Sequence, residues 1–292
     1  MSTAAQFLAE LPTGLSSNLS SAQVSCQVAG HIAGLTGATG TVPLFGINGA
    51  QGSGKSTLTQ LVAHALQQFH QLRAVVLSLD DFYLGKAARQ ALAGQVHPLC
   101  ATRGVPGTHD VALLRATLAA LRGADDGAVT AIPVFDKLAD DRAQASAWVT
   151  FAGRPDVILF EGWCVGLQSA VLPAWQGPIN ALEAECDPQG IWAGWSRAAL
   201  VQDYDALWAE IDLLVSIEVA SLEEVVRSRL RQEQGLAIAS GRTGMDRAAV
   251  ERFVQHYERH TRALWAAMPA GADILLRRDT GYGFEIVKEG SR

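Results

Sequence analysis

A chain of 292 residues leaves room for one large domain or two small ones, and its 49% hydrophobic content is ample for a sizeable core. A formal net charge of -6 argues against a general nucleic-acid binder, which presents a basic surface to the phosphate backbone, so an acidic substrate would need a local basic pocket. The four cysteines, Cys26, Cys100, Cys164 and Cys186, lack the close pairing of structural zinc or redox sites, and no apolar run reaches membrane-spanning length.

In chain order, residues 1–40 mix Ser, Gly, Ala and Thr with scattered aliphatics and read as an N-terminal extension with a helix over Ala22–Leu35. No Lys or Arg precedes Lys55, so the start lacks the basic stretch of a secretory signal and the arginines of a transit peptide; a cytoplasmic protein is expected. Residues 41–292 read as one domain. Thr41–Ile47 is its first strand, Thr57–Phe69 a helix, and Ala74–Leu79 a buried parallel strand. Two substrate-side excursions interrupt it, one near 86–109, where Gly, Pro and His occur without clear periodicity, and one near 167–200, which is loop-rich and contains Pro173, Pro178 and Pro188. Asp110 caps a helix over Val111–Leu121, Val129–Val134 reads as a strand, Lys137–Ser146 as a polar connection and Asp156–Phe160 as a buried strand. Asp212–Val219 is a further strand, Ser221-Leu222-Glu223-Glu224 a capping box opening a helix to about Gln234, Asp246 the start of a long helix to about Met268, and Asp273–Leu276 the last strand. Strands separated by helices predict a three-layer α/β fold with a mainly parallel sheet.

The chemistry-bearing signal is Gly49-Ala50-Gln51-Gly52-Ser53-Gly54-Lys55-Ser56, a G-x-x-x-x-G-K-[ST] phosphate loop in strand–loop–helix context, continued by Thr57. Its backbone N–H groups and the helix N-terminus form a cradle for phosphates. Lys55 is expected to reach the β- and γ-phosphates of ATP, and Ser56 to ligate Mg²⁺. Asp80 and Asp81 follow the second strand, at the end where parallel sheets build their sites; one can act as base on an incoming hydroxyl, or either can simply cap the next helix. Asp156–Glu161 is an apolar strand closed by an acid, the pattern of a carboxylate that holds Mg²⁺, although Glu161 would equally suit orienting a substrate. Arg103, His109 and Lys137 bring cations into loops at element ends, suiting a small anionic substrate or mere solvation. Arg229 sits where it would fold over the nucleotide as a lid, a role that a solvated helix face explains nearly as well.

With these residues assembled, the chain resembles the D-glycerate 3-kinase family, within the phosphoribulokinase, uridine kinase and pantothenate kinase group of P-loop kinases. The likeness spans about Thr41–Asp279 and rests on the phosphate loop, Asp80-Asp81-Phe82-Tyr83, Arg103-Gly104-Val105-Pro106-Gly107-Thr108-His109-Asp110, Phe135-Asp136-Lys137 and Glu161-Gly162-Trp163, in that order. The resemblance implies Asp80 as the base, with Arg103, His109 and Lys137 near the acceptor; Asp81, Tyr83 and Thr108 are further candidates for binding it, although Tyr83, like Phe82, equally suits packing. The chain departs from the family pattern after Lys137, where Leu138-Ala139-Asp140-Asp141-Arg142 replaces a Ser and a Gly-rich run.

The leading expectation is therefore an ATP- and Mg²⁺-dependent kinase acting on a hydroxyl of D-glycerate, with no nucleic-acid or membrane partner. The competing readings are a kinase for another hydroxylated metabolite (a nucleoside, pantothenate or a sugar phosphate) and an ATP-dependent switch or chaperone. The guanine-reading Asn-Lys-x-Asp element does not follow the loop, which disfavours a GTPase.

Overall fold

Leu44–Gly49 (β1) is buried at every position, and so is Val157–Gly162 (β7) beside it, as expected of strands covered on both faces. The computed structural model describes residues 3–37, 40–240 and 244–290. Its helices are α1 (Thr3–Ala9), α2 (Leu19–Leu35), α3 (Lys55–His70), α4 (Lys86–Gln95), α5 (Val111–Gly123), α6 (Ala181–Cys186), α7 (Ile191–Ala199), α8 (Asp205–Trp208), α9 (Leu222–Ser240) and α10 (Arg247–Gly271). The remaining strands are β2 (Ala74–Ser78), β3 (Val129–Ile132), β4 (Phe135–Asp136), β5 (Asp141–Arg142), β6 (Val149–Ala152), β8 (Leu213–Glu218), β9 (Ile274–Arg278) and β10 (Phe284–Glu289).

The main sheet has the order β10-β9-β8-β1-β7-β2 and is parallel except for its β10 edge. Successive side chains of a strand point to opposite faces, and the two cores follow that alternation. Leu44, Val75, Leu77, Ile158 and Phe160 meet Leu114 and Leu118 of α5 and Leu264 of α10 on one face. Phe45, Ile47, Val157, Leu159, Val215 and Ile217 meet Leu58, Leu61 and Val62 of α3 on the other. The fold is thus three-layered and α/β.

The N-terminal helices α1 and α2 are woven into the second layer: Phe7 of α1 and Val28 and Ile32 of α2 are fully buried in the core that α3 and the sheet share. Asn18 caps α2, accepting from Ser21 N at 2.8 Å.

Three expectations need correction. Val129–Ile132 stays out of the main sheet and pairs antiparallel with β6. It is only four residues long and alternates exposed and buried, the habit of a ribbon with one wet face. The polar connection 137–146 carries β5, which folds back to pair antiparallel with β4 just before it. The two excursions carry helices, α4 in the first and α6 and α7 in the second. Fully buried Arg89 ties α4 down, its guanidinium bound to Asp140 at 2.9 Å.

Candidate functional site

The site forms where β1, β7 and β2 end side by side. Parallel register sets Ile47 opposite Glu161 and Glu161 opposite Ser78, so the acid closing β7 lies between the phosphate loop and the end of β2. Glu161 Oε1 accepts from Ser56 Oγ at 2.7 Å and from Ser78 Oγ at 3.0 Å, while Lys55 Nζ stands 3.9 Å from Oε2. Ser78 was not foreseen, although its place at a strand's carboxyl end was a signal.

The loop is built against α9 and β9. Gly52 has φ +71, and a Cβ there would come within 2.6 Å of Ser228 Cβ, so only glycine permits this approach. Buried Arg278 donates to Gly52 O at 2.6 Å and to Ser228 Oγ at 2.9 Å, holding the loop from beneath. Gln51 Nε2 and Oε1, Ser53 Oγ and Glu161 Oε2 are buried polar atoms with no hydrogen-bond partner, which marks a cradle shaped for a polar ligand. The oxygens of Ser56 and Glu161 are hard donors that fit Mg²⁺, an ion held by one or two protein oxygens plus phosphates and water. Among the described residues no group of three or more His, Cys, Asp or Glu gathers into a metal cage.

Beside the loop, a single 3₁₀ turn, Leu79–Phe82, presents the two aspartates differently. Asp80 Oδ2 accepts from Lys137 Nζ at 2.7 Å. Burial pushes the Asp80 carboxyl up, but Lys137 and Lys55 outweigh it and hold the group down at about 2. Asp81 Oδ1 instead accepts from Phe135 N at 3.1 Å and fastens β4, and burial raises its carboxyl.

The 103–110 loop forms the far wall. Leu84 N donates to Thr108 O at 2.9 Å and Asp110 N to Phe82 O at 2.7 Å, a short antiparallel pairing that stacks the His109 ring on Tyr83 at 4.5 Å. Gly104, at φ +151, lies under Tyr257, whose Oη a Cβ would meet at 2.5 Å. Trp163 Nε1 donates to Gly104 O at 3.0 Å and Tyr257 Oη to Arg103 O at 3.1 Å. Thr108 is a correction: its fully buried hydroxyl donates to Val105 O at 2.7 Å and accepts from Gly104 N at 3.0 Å, so it staples the loop and faces no solvent. Arg103 is ion-paired with Asp140 and lies over the Phe135 ring at 5.4 Å. Arg229 is ion-paired with Glu233 and lies over Phe253, one residue beyond the Ser228 contact with the loop. Asp140 and Tyr204, the partner of His109, carried no sequence signal, since each is brought in by tertiary packing.

Burial holds two histidines neutral, His109 and His260, each pushed down to about 3. An unfolded histidine takes up a proton below about 6.5, so between there and about 3 the unfolded state binds more protons and stability falls as pH falls. The melting temperature is expected to drop between about pH 7 and pH 5, and His260→Gln to flatten that drop; an unchanged pH slope in the variant would contradict it.

No protein-family model matches the chain. It is 35% identical over 231 residues to an uncharacterized kinase, mug58, of Schizosaccharomyces pombe, covering 73% of this chain and 78% of that protein. It is 31% identical over 242 residues to a chloroplastic D-glycerate 3-kinase of Arabidopsis thaliana, covering 79% of this chain and 50% of that longer protein. The solved D-glycerate 3-kinase of Cryptococcus neoformans superposes with a TM-score of 0.69 at 25% identity, over 92% of this chain and 98% of that one. Among the described residues no helix is long and apolar enough to cross a membrane. With its phosphate loop, strand-end carboxylates and these relatives, the chain belongs to the family of P-loop kinases that includes D-glycerate 3-kinase and is an ATP-dependent phosphotransferase with a hydroxyl acceptor.

Proposed function

We propose that this kinase transfers the γ-phosphoryl group of Mg·ATP to a hydroxyl of D-glycerate. The observation that carries the reading is the position of Asp80, an ionised carboxylate in the field of Lys55 and ion-paired with Lys137, with Arg103 a further cation in the loop that carries His109. D-Glycerate offers a hydroxyl for the first and a carboxylate for the others, and relatives that match the chain carry that activity in their names.

On this reading the substrate hydroxyl oxygen attacks the γ-phosphorus, the bond to the β,γ-bridging oxygen breaks, and the hydroxyl proton passes to Asp80. Lys55 and the N–H groups of residues 49–57 bind the phosphates, and Arg229 closes over them from α9. Ser56 and Glu161 would hold Mg²⁺, which supplies charge neutralisation on the phosphates. Because phosphoryl transfer needs little covalent help, positioning and electrostatics supply most of the rate. Tyr83 and Asp81 support the acceptor side through His109 and β4.

One observation favours a second reading. Asp140, in the run that departs from the family pattern, already pairs with Arg89 and Arg103, which lowers the positive charge left for an acceptor carboxylate. An uncharged hydroxylated acceptor such as a nucleoside fits that balance better.

The test is ATP consumption across D-glycerate, glycerol, pantothenate, a nucleoside and a sugar phosphate. D-Glycerate is expected to stimulate turnover sharply and glycerol weakly; turnover equal with all, or with none, overturns the proposal, and selective turnover with the nucleoside establishes the second reading. Arg103→Leu is expected to raise the KM for D-glycerate about 10- to 100-fold with little change for ATP, the loss of one charge-assisted contact. If the KM for ATP rises instead, Arg103 belongs to the nucleotide side.

A further inference from the structure

Tyr204 lies on a π-helical turn, Leu200–Tyr204, between α7 and α8, and its hydroxyl reaches into the 103–110 loop. Tyr204 Oη accepts from Gly107 N at 3.0 Å and lies 2.7 Å from His109 Nδ1. A phenol has one proton to give. Among the described residues, His109 Nδ1 is the acceptor within reach of it, so Nδ1 carries a lone pair and the imidazole proton sits on Nε2.

Nε2 is buried and has no hydrogen-bond partner, in a side chain only 5% exposed. The ring cannot turn to find one, since Tyr83 stacks on its face at 4.5 Å and Tyr204 meets it edge-on at 5.8 Å. Charging the ring would not help either, because burial resists protonation and Asp80 only partly opposes that. A buried N–H donor held rigidly beside the proposed base is a donor kept for a ligand.

We propose that Tyr204 is a positioning residue that locks His109 as a neutral Nε2–H donor, and that this N–H hydrogen-bonds a lone pair on an oxygen of the acceptor substrate. This rests on the acceptor reading above. It gives His109 a role distinct from the base: with Nδ1 engaged by Tyr204, the ring has no free lone pair to take the hydroxyl proton, which goes to Asp80. It also assigns substrate selection, since a donor at this position donates to a hydroxyl or carboxylate oxygen and leaves an alkyl group or an ammonium without a partner.

The experiment begins with long-range ¹H–¹⁵N correlation spectra of the full-length kinase labelled at histidine, with the His109 signals assigned by their loss in His109→Gln. A lone-pair-bearing Nδ1 and a protonated Nε2 are expected near neutral pH, with the Nε2 signals moving when D-glycerate is added. A proton on Nδ1, or a doubly protonated ring, overturns the proposal without any reference to activity. Kinetics supply the second arm. A glutamine amide nitrogen overlays Nε2, so His109→Gln is expected to stay within about 10-fold of the native kcat/KM for acceptor, while His109→Asn and His109→Leu fall about 100-fold. Tyr204→Phe is expected to mix the two tautomers and lower kcat/KM for acceptor about 10-fold with the KM for ATP unchanged. Glutamine as damaging as leucine overturns the donor role. Failure of D-glycerate as a substrate is a separate result: it removes the acceptor reading, and the tautomer and the glutamine-against-leucine comparison are then read with whichever acceptor the panel identifies.

Discussion

Lys55→Ala is expected to abolish phosphoryl transfer, a fall of at least about 1,000-fold in kcat, because it removes the cation that faces the charge developing on the transferring phosphate. The side chain leaves the first position of α3 and is 13% exposed, 3.9 Å from the nearest Glu161 oxygen. It is therefore held in the cradle and not free in solvent. The same variant is expected to weaken binding of a fluorescent ATP analogue, and Lys55→Arg to recover little, since a planar fork does not replace a compact ammonium in a tight loop. Loss of the ammonium leaves buried Glu161 with its two serine hydroxyls, so a melting curve is recorded alongside to separate chemistry from folding. A Lys55→Ala enzyme that is folded and keeps a tenth of the native rate would mean that the γ-phosphate is held elsewhere.

The parts of this architecture that were legible are those written in contiguous residues. The eight residues 49–56 specify a backbone shape, and the apolar run 157–160 ending in Glu161 specifies a buried strand with an acid at its rim. Their juxtaposition follows from sheet register, which places Glu161 between Ile47 and Ser78. What was not legible is what the tertiary fold assembles. Thr108 reads like a site hydroxyl beside His109, yet the turn at Gly104 and Val105 consumes both its donor and its acceptor. Tyr204 is 95 positions beyond His109 and owes its contact to the π-helical turn that carries it. The N-terminal residues carry too few charges to show a polar face, so their place in the core shows only when Phe7, Val28 and Ile32 are seen against α3 and the sheet. The strand expected over Val129–Val134 forms over Val129–Ile132 but pairs outside the main sheet: Val-Thr-Ala-Ile is short and contains a threonine, whereas the central strands of the main sheet carry longer apolar runs.

Which aspartate takes the proton decides the other large effect. Asp80 and Asp81 are adjacent on one 3₁₀ turn and therefore point in different directions, one toward Lys137 and the other onto the backbone of Phe135. Asp81 is committed to β4, and its raised carboxyl is less disposed to be ionised than that of Asp80. Asp80 at about 2 is a weak base in the absence of substrate. In a loose transition state, however, the hydroxyl becomes acidic as its bond to phosphorus forms, so a poised acceptor of the proton need not be strong. Asp80→Asn is expected to lower kcat at least ~100-fold with the KM for ATP nearly unchanged, the range usual for losing a general base. Its direct ion-pair partner, Lys137, is 57% exposed, so losing that pair costs little stability and the variant stays folded. Asp81→Asn keeps an oxygen that can accept from Phe135 N and is expected to retain most of the activity. Should Asp81→Asn prove the more damaging in kcat, with both variants folded, the proton goes to Asp81 and the 3₁₀ turn presents the opposite carboxylate to the substrate.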